Sequence, residues 1–351
     1  MDDVSKGNVS TRMLDIARSL GVSVSTVSLA LGGSELVASA TRERVRSEAD
    51  RLGYVYNRRA ADLRKSRRNV VGLVVPDITS PFASEAALGL QNSSALRHHI
   101  VALSNTREKI DVQTEILTAL IEERAMGVVL IPALGTRSED LELLKRSRVP
   151  TVLMNRDVPG SGFSFVGADD SALIDMALGH LVEVHKIRSA GYFGGLADAS
   201  PRKNRSRLFS AYLRRAGIVE DDTWNITTGP RPLAAFHAAR ERLRSEGPLP
   251  DAIICHSDSI AIGLLRALAM DARGRSCAIV GIDGLVSGLL STPSLTSVAV
   301  FPARMGAQAG RMLLGEATGV GTTPDRDSLA PQLILRESCG CRLDPGDADQ
   351  S

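Results

Sequence analysis

MLDIARSLGVSVSTVSLALGG, residues 13–33, holds two short helical patterns around one glycine. Met13, Ile16, Ala17 and Leu20 recur at i, i+3, i+4 and i+7, the apolar stripe of an amphipathic helix. Gly21 ends it, and Ser23 offers a hydroxyl to the orphan N–H groups of a second helix running from Val24 to about Leu31. Val27 and Leu31 face inward on that helix, leaving Val24, Ser25, Ser28 and Leu29 on the opposite face. Two short helices around such a turn outline a helix-turn-helix, whose second helix lies in the major groove of DNA. A third helix follows in SATRERVRSEADRLGY, residues 39–54, with Val45, Ala49 and Leu52 at i, i+4 and i+7 and Gly53 as its C′ residue. Three helices in about 45 residues enclose only a small core. By pattern alone, the alternative to a helix-turn-helix is a three-helix cap on a larger enzyme, the lesser of the two readings.

Charge favours the first reading. The whole chain of 351 residues carries only +2, but residues 1–68 hold 13 Lys and Arg against 8 Asp and Glu, a net of +5, and the remainder carries −3. The excess concentrates in RRAADLRKSRR, residues 58–68, where six basic side chains meet one acid, Asp62. With 43% hydrophobic residues, the chain can build two or three ordinary cores. Asp2, Asp3, Asp15 and several arginines near the start leave no apolar signal stretch, so the expected location is cytoplasmic, with no membrane segment. Cys255, Cys277, Cys339 and Cys341 are expected as reduced thiols: one C-x-C without a nearby partner pair is a weak zinc signal.

From Val70 the pattern changes to alternation. VVGLVV, HIVALS, GVVLIP, TVLMN, SAGYFG, AIIC and AIVGID read as strands, separated by helix-length stretches such as QTEILTALIEERA, SALIDMALGHLVEV and SIAIGLLRALAMDA. Such alternation predicts parallel sheets covered on both faces. Enzyme motifs are missing. VVGLVV is followed by PDITSP rather than a G-x-G-x-x-G, and neither a phosphate-cradling G-x-x-x-x-G-K-[ST] nor a G-x-S-x-G nucleophile elbow occurs. His180 and His185 lack the H-E-x-x-H spacing and read as structural, so no catalytic residue, cofactor or metal is expected.

The order of short motifs resembles the LacI/GalR family of transcription regulators. D-I-A, G-V-S, T-V-S, T-R-x-x-V, L-G-Y, N-R-x-A-x-x-L and G-L-V-V-P-D-I run in sequence from Asp15 to Ile78, and VVLIPA, VPTVLMNRD, YFGG, HSDSIAIGLLRAL, VGIDG, PSLTSVAVFP and LILRES continue the match. The resemblance implies an N-terminal all-α helix-turn-helix domain (residues 8–56), a hinge helix (57–68), and a core at 69–342 with a periplasmic-binding-protein-like α/β fold. That core consists of two parallel-sheet subdomains with an effector cleft between them, and a polar tail occupies 343–351.

It also implies roles for residues. Val24, Ser25 and Leu29 fall where base edges are read, while Ser23, Thr26 and Ser28 suit the cap and phosphate contacts. Leu29 replaces an arginine that some members carry. In the hinge, Asn57 caps, Ala60 lets the backbone approach the groove floor, Leu63 is a wedge for the minor groove, and Arg58, with Arg59, Arg64 and Lys65, meets phosphates. Tyr56 stands where proline is usual. Ligands of open α/β sheets bind beyond the carboxyl ends of the strands. There the chain places Asp77, Ser80 and Phe82, then Asn155 and Arg156, then Arg202 and Arg205, then Ser257 and Asp258, and finally Asp283. Ser80, Phe82, Asn155, Arg205, Ser257 and Asp283 are the expected effector contacts, with Ser257 in place of a common asparagine. Carboxylate, guanidinium, amide and one ring fit a polyhydroxylated effector such as a sugar or nucleoside. The expected partners are a pseudo-palindromic operator in double-stranded DNA and a second copy of the chain. A solute-binding protein and a sugar-converting enzyme are the competing classes.

Overall fold

Residues 12–34, 36–54, 69–245, 247–319 and 325–341 are described in a computed structural model of the chain. Two compact units emerge, residues 1–68 and 69–351.

In the first unit, helices α1 (Met13–Leu20), α2 (Val24–Leu31) and α3 (Ser39–Arg51) enclose Ile16, Ala17, Val27, Ala30, Val37, Val45 and Ala49. Gly21, at φ 65°, closes α1 in the left-handed region that a side chain disfavours, and Gly53 does the same past α3. The inward residue of the second turn of α2 is Ala30, with Leu31 only half-buried, a one-residue rotation from the sequence expectation.

Among the described residues, the second unit holds two six-stranded sheets. The first has the order β2-β1-β3-β4-β5-β11 and is built from β1 (Val70–Val75), β2 (Ile100–Asn105), β3 (Gly127–Leu130), β4 (Thr151–Met154), β5 (Ser164–Ala168) and β11 (Arg326–Leu329), all parallel. The second has the order β7-β6-β8-β9-β10-β12, from β6 (Ser189–Phe193), β7 (Val219–Glu220), β8 (Ala252–Cys255), β9 (Ala278–Asp283), β10 (Thr296–Ala299) and β12 (Gln332–Ile334). Only β12 runs antiparallel to its neighbour. Each sheet therefore winds in both directions from an early strand, which creates a switch point between β1 and β3 and another between β6 and β8.

Helices α4 (Pro81–Gln91), α5 (Ile110–Glu122) and α6 (Glu142–Ser147) belong to the first lobe. The second carries α7 (Asp170–Glu183), α8 (Ser200–Ala216), α9 (Pro232–Leu243), α10 (Asp258–Leu268) and α11 (Val286–Leu289). The chain crosses between lobes after β5, after β10 and between β11 and β12. The middle crossing sends α12 (Pro302–Thr318) back to the first lobe, where Met305, Ala309 and Leu313 join its core. There α12 meets α4 at glycines: a Cβ on Gly89 would lie 1.8 Å from the Ala303 carbonyl oxygen, and one on Gly306 2.0 Å from that of Ala86. This backbone-to-backbone approach fixes α4, whose first turn enters the cleft. Among the described residues, no single helix is long and apolar enough to cross a membrane.

Candidate functional site

The helix pair comes first. α1 and α2 meet at 108°, within the roughly 90–120° of a helix-turn-helix. Ser23 caps α2, its Oγ accepting from the Thr26 amide at 3.0 Å and lying 2.8 Å from Thr26 Oγ1. Val24 and Ser25 are exposed, and Thr26 and Ser28 are half-buried. Leu29, expected on the outer face, packs partly against the small core, so its side chain has only an edge free for a base. Asn57, Arg58, Ala60 and Leu63 of the hinge lie outside the described residues.

All six expected effector residues line one cavity between the lobes of the second unit. Its volume is about 170 Å³, below the roughly 300–1,000 Å³ of sites for drug-sized molecules. A small polar molecule fits that scale. From the first lobe, the β1 end supplies Asp77 to Phe82. Asp77 Oδ1 accepts from the Thr79 amide at 2.9 Å and hydroxyl at 2.6 Å, a turn that leads Ser80 into α4 as its N-cap residue. Phe82 packs against the cores of both lobes, so its ring closes the cleft floor. Asn155 sits at φ 62°, a left-handed conformation that costs energy outside glycine and asparagine and collects at ligand sites.

The second lobe supplies the buried charge. Arg205, 4% exposed, donates from Nε to Asp170 Oδ1 at 2.7 Å and from Nη1 to the His256 carbonyl at 3.4 Å. Two of its five N–H donors are held this way. Asp283 ends β9 at φ 126° and is 9% exposed. Burial first, and then the nearby Asp258 carboxylate, push its carboxyl well above the usual range, against the pull of Arg205. Asp258 receives the Leu285 amide at 2.6 Å and the Ser297 hydroxyl at 2.5 Å, so of the two acids it is the better suited to hold a negative charge and Asp283 to hold the proton. His256, hydrogen-bonded through Nδ1 to the Tyr192 hydroxyl at 2.9 Å, is held well below its ordinary pKa by burial and by Arg205, Arg202 and Arg156, and is neutral.

Several sequence expectations shift. Arg202 does not line the cleft: it donates to the Gly194 carbonyl at 2.7 Å and to Asn225 Oδ1 at 2.6 Å, with its guanidinium 4.5 Å from the Tyr192 ring centroid. Asp258 is likewise a buried brace beneath the cleft. Ser257 has both roles, lining the cavity and accepting from the Ile260 amide at 3.3 Å as the α10 cap. Arg205 lies on α8 rather than in a loop.

Two cleft groups were missed. Glu108 grips Arg156 through two bonds of 2.8 Å, a bidentate pair at the first-lobe wall. Arg231, at the start of α9 in the second lobe, reaches Asp77 Oδ2 of the first at 3.2 Å and Thr79 Oγ1 at 3.3 Å. Away from the cleft, His180, His185, Cys339 and Cys341 converge, so the C-x-C has a partner pair after all.

The known proteins most informative for this geometry span nearly the whole chain. Residues 12–57 match the model "Bacterial regulatory proteins, lacI family", and residues 178–339 match "Periplasmic binding protein-like domain". The ribose operon repressor of Escherichia coli K12 is 29% identical over 93% of this chain and 99% of its own length. Regulator PtxS of Pseudomonas putida is 28% identical over 92% of this chain and 94% of its own. Among solved structures, the lac repressor dimer bound to operator and an anti-inducer aligns with a TM-score of 0.82 at 19% identity, covering 94% of this chain and 99% of that one. The regulator CelR in complex with cellobiose aligns at 0.69 and 29% identity, over 93% of this chain and 99% of that one.

Proposed function

The chain belongs to the LacI family of bacterial regulatory proteins, and from that premise we propose that it is a ligand-controlled transcriptional repressor rather than an enzyme. It grips a pseudo-palindromic operator as a homodimer. α2 reads the major groove through Val24, Ser25 and the edge of Leu29, with hydroxyls of Ser23, Thr26 and Ser28 at the backbone. In the hinge, residues 57–68, Asn57, Arg58 and Ala60 seat the segment and Leu63 wedges the minor groove. Residues 8–56 form the DNA-binding domain, 69–342 the sensor and 343–351 a polar tail, all in the cytoplasm.

The observation that carries this reading is one chain holding both a 108° helix pair with Val24 and Ser25 exposed and a two-lobed cleft walled by buried Arg205 and Asp283. The effector is carbohydrate-like. A sugar hydroxyl can accept from Arg205 and donate to Asp283, Asn155 can do either, and Phe82 offers an apolar face. The ribose operon repressor and the cellobiose complex of CelR support the same class. In the dimer, the exposed Leu88 on α4 and Ile100 and Leu103 on the edge strand β2 supply apolar surface for the partner. Because the hinge runs directly into β1, whose far end carries Asp77 to Phe82, a change of lobe angle on ligand entry is passed to the hinge pair.

The test is a gel-shift titration of the full chain against inverted-repeat fragments of its own genome, at several salt concentrations, with and without ribose or cellobiose. The expected result is tight binding that falls steeply with salt and that a sugar changes at least tenfold. Leu63→Ala weakens operator binding and leaves sugar affinity intact. No salt-sensitive preference for any inverted repeat, with or without sugar, overturns the reading.

A further inference from the structure

Four donor atoms meet at the far end of α7 from the cleft. His180 lies in the last turn of that helix and His185 just beyond it, while Cys339 and Cys341 lie in the segment that follows β12. His180 Nε2 is 3.2 Å from His185 Nε2, 3.4 Å from Cys339 Sγ and 3.7 Å from Cys341 Sγ, and Cys341 Sγ is 3.4 Å from His185 Nε2. All four donor atoms lie within 4.8 Å of one another.

We propose that these four side chains form a tetrahedral site for a zinc ion, which staples the C-terminal segment to α7. The spacing carries the proposal. Zinc binds imidazole nitrogen at about 2.0–2.1 Å and thiolate sulfur at about 2.3 Å, so a regular tetrahedron has edges of about 3.3 Å between nitrogens and about 3.6 Å between nitrogen and sulfur. The four separations above fall within a few tenths of an ångström of those edges. Hydrogen bonding alone explains them poorly. Each imidazole nitrogen has one proton or one lone pair, yet His180 Nε2 faces three donor atoms at once. A shared cation satisfies all of them together.

The surroundings fit a closed structural site. Gly340, at φ 98°, turns the backbone between the two cysteines so that both sulfurs face the histidines. The segment is positioned independently of any metal, because the Ser338 amide donates to the Ser294 carbonyl at 2.8 Å and the Ser338 hydroxyl to the Ile279 carbonyl at 2.7 Å. Cys339 is buried in the second-lobe core, with Cys341 and both histidines half-buried, so the ion has a route in. Two nitrogens and two sulfurs in tetrahedral array select zinc among the common divalent ions. On binding, both thiols release their protons to solvent and the two thiolates balance the charge of the ion, without any redox step. The clip is structural, yet it anchors the helix whose first residue, Asp170, holds Arg205 in the cleft.

The test uses the full-length chain, expressed without a metal-binding tag and purified under reducing conditions. Elemental analysis is expected to find about one zinc per chain, and exchange with cobalt(II) to give the visible bands of a tetrahedral ion with thiolate charge transfer in the near ultraviolet. Removing the metal is expected to lower Tm by about 5 °C or more, restored by zinc alone. Cys341→Ser and His185→Gln are each expected to abolish the charge-transfer bands. Should either variant fail to fold, protection of Cys341 from alkylation by added zinc in the unmodified chain gives the same answer. Metal content near zero with no cobalt–thiolate band overturns the proposal, as does a Cys339–Cys341 disulfide in the freshly isolated protein, or cobalt bands that survive both substitutions.

Discussion

In the first lobe, Glu108 and Arg156 are joined by two bonds of 2.8 Å, and Glu108 also accepts the Leu134 amide at 2.9 Å, so this pair of charges is matched within the wall. In the second, Asp283 lies buried beside Asp258 with its carboxyl pushed toward the neutral form, and Arg205 keeps N–H donors beyond those held by Asp170 and His256. The strand order of the two lobes is the same. What differs is whether the polar groups at the strand ends are already satisfied. A wall whose polar groups are satisfied gives a ligand shape; a wall with spare hydrogen-bonding groups gives it free energy, because a bound ligand completes those bonds. The first lobe is the frame of the sensor and the second its reader.

The largest expected effect tests the reader directly. Arg205→Ala removes the main donor and leaves Asp170 without its cation. Affinity for the sugar that gives the strongest thermal shift is expected to fall at least about 100-fold, about 2.7 kcal/mol, with operator binding retained. Calorimetry that finds the wild-type Kd removes Arg205 from the site.

Asp283→Asn is expected to cost about tenfold in affinity, since the amide nitrogen cannot accept from a ligand hydroxyl as the oxygen of the neutral acid can, and it carries a pH signature. The folded pKa of Asp283 is raised, so its contribution to stability is complete below the ordinary aspartate value near 4 and is lost as pH rises through the folded value. Tm of the ligand-free chain is therefore expected to decline as pH rises above the ordinary aspartate range near 4. The amide of the substituted chain mimics the neutral acid and reduces that decline to the share of Asp258, which burial itself pushes up to about 7. A wild-type Tm that rises over the same range contradicts the assignment of the proton to Asp283.

The frame responds differently. Glu108→Gln weakens both bonds to Arg156, which is 15% exposed at its side chain, and is expected to cost about 1–3 kcal/mol of stability, read as a lower denaturation midpoint. Sugar affinity is expected to change by no more than about threefold. A large affinity loss with stability unchanged would move Glu108 from frame to reader and erase the contrast between the lobes.

How far the sequence revealed this division depends on how each element announces itself. β1, β3, β4, β8 and β9 are apolar and largely β-branched, so their boundaries were readable within a residue or two, and the rule that ligands sit beyond strand ends then located six cleft residues. β5 (SFVGA), β7 (VE) and β11 (RDSL) are short and carry polar or small residues, so they form through pairing partners rather than intrinsic preference. α8 was hidden for another reason. Its buried stripe is Arg202, Arg205, Phe209 and Leu213, and arginines at apolar positions disguise the helical period. The histidine and cysteine cluster is assembled from opposite ends of the second lobe's sequence, a separation that no local motif spans. Asp258 also follows a strand but is not among the six expected contacts; the amide and hydroxyl it accepts from account for it as a brace beneath the cleft.

Arg231 lines the cleft from the second lobe but pairs across it, and it yields the smallest expected effect. It sits on the second lobe, 68% exposed at its side chain, and bonds Asp77 and Thr79 of the first lobe across the cavity mouth. A pair this open to solvent contributes at most about 1 kcal/mol, and salt screens it further. Arg231→Ala is therefore expected to leave Tm within about 2 °C of the wild type and to change the equilibrium sugar affinity less than about fivefold. Its effect should fall on rates: with one tie between the lobes gone, the sugar enters and leaves faster, and the difference from wild type shrinks as salt is raised. Stopped-flow traces that show equal dissociation rates at low salt would mean that Arg231 does not tie the lobes, leaving Phe82, the crossings and contacts such as the Asp157 amide to the Ser200 hydroxyl at 3.1 Å to hold them. The contrast between frame and reader would then need no latch.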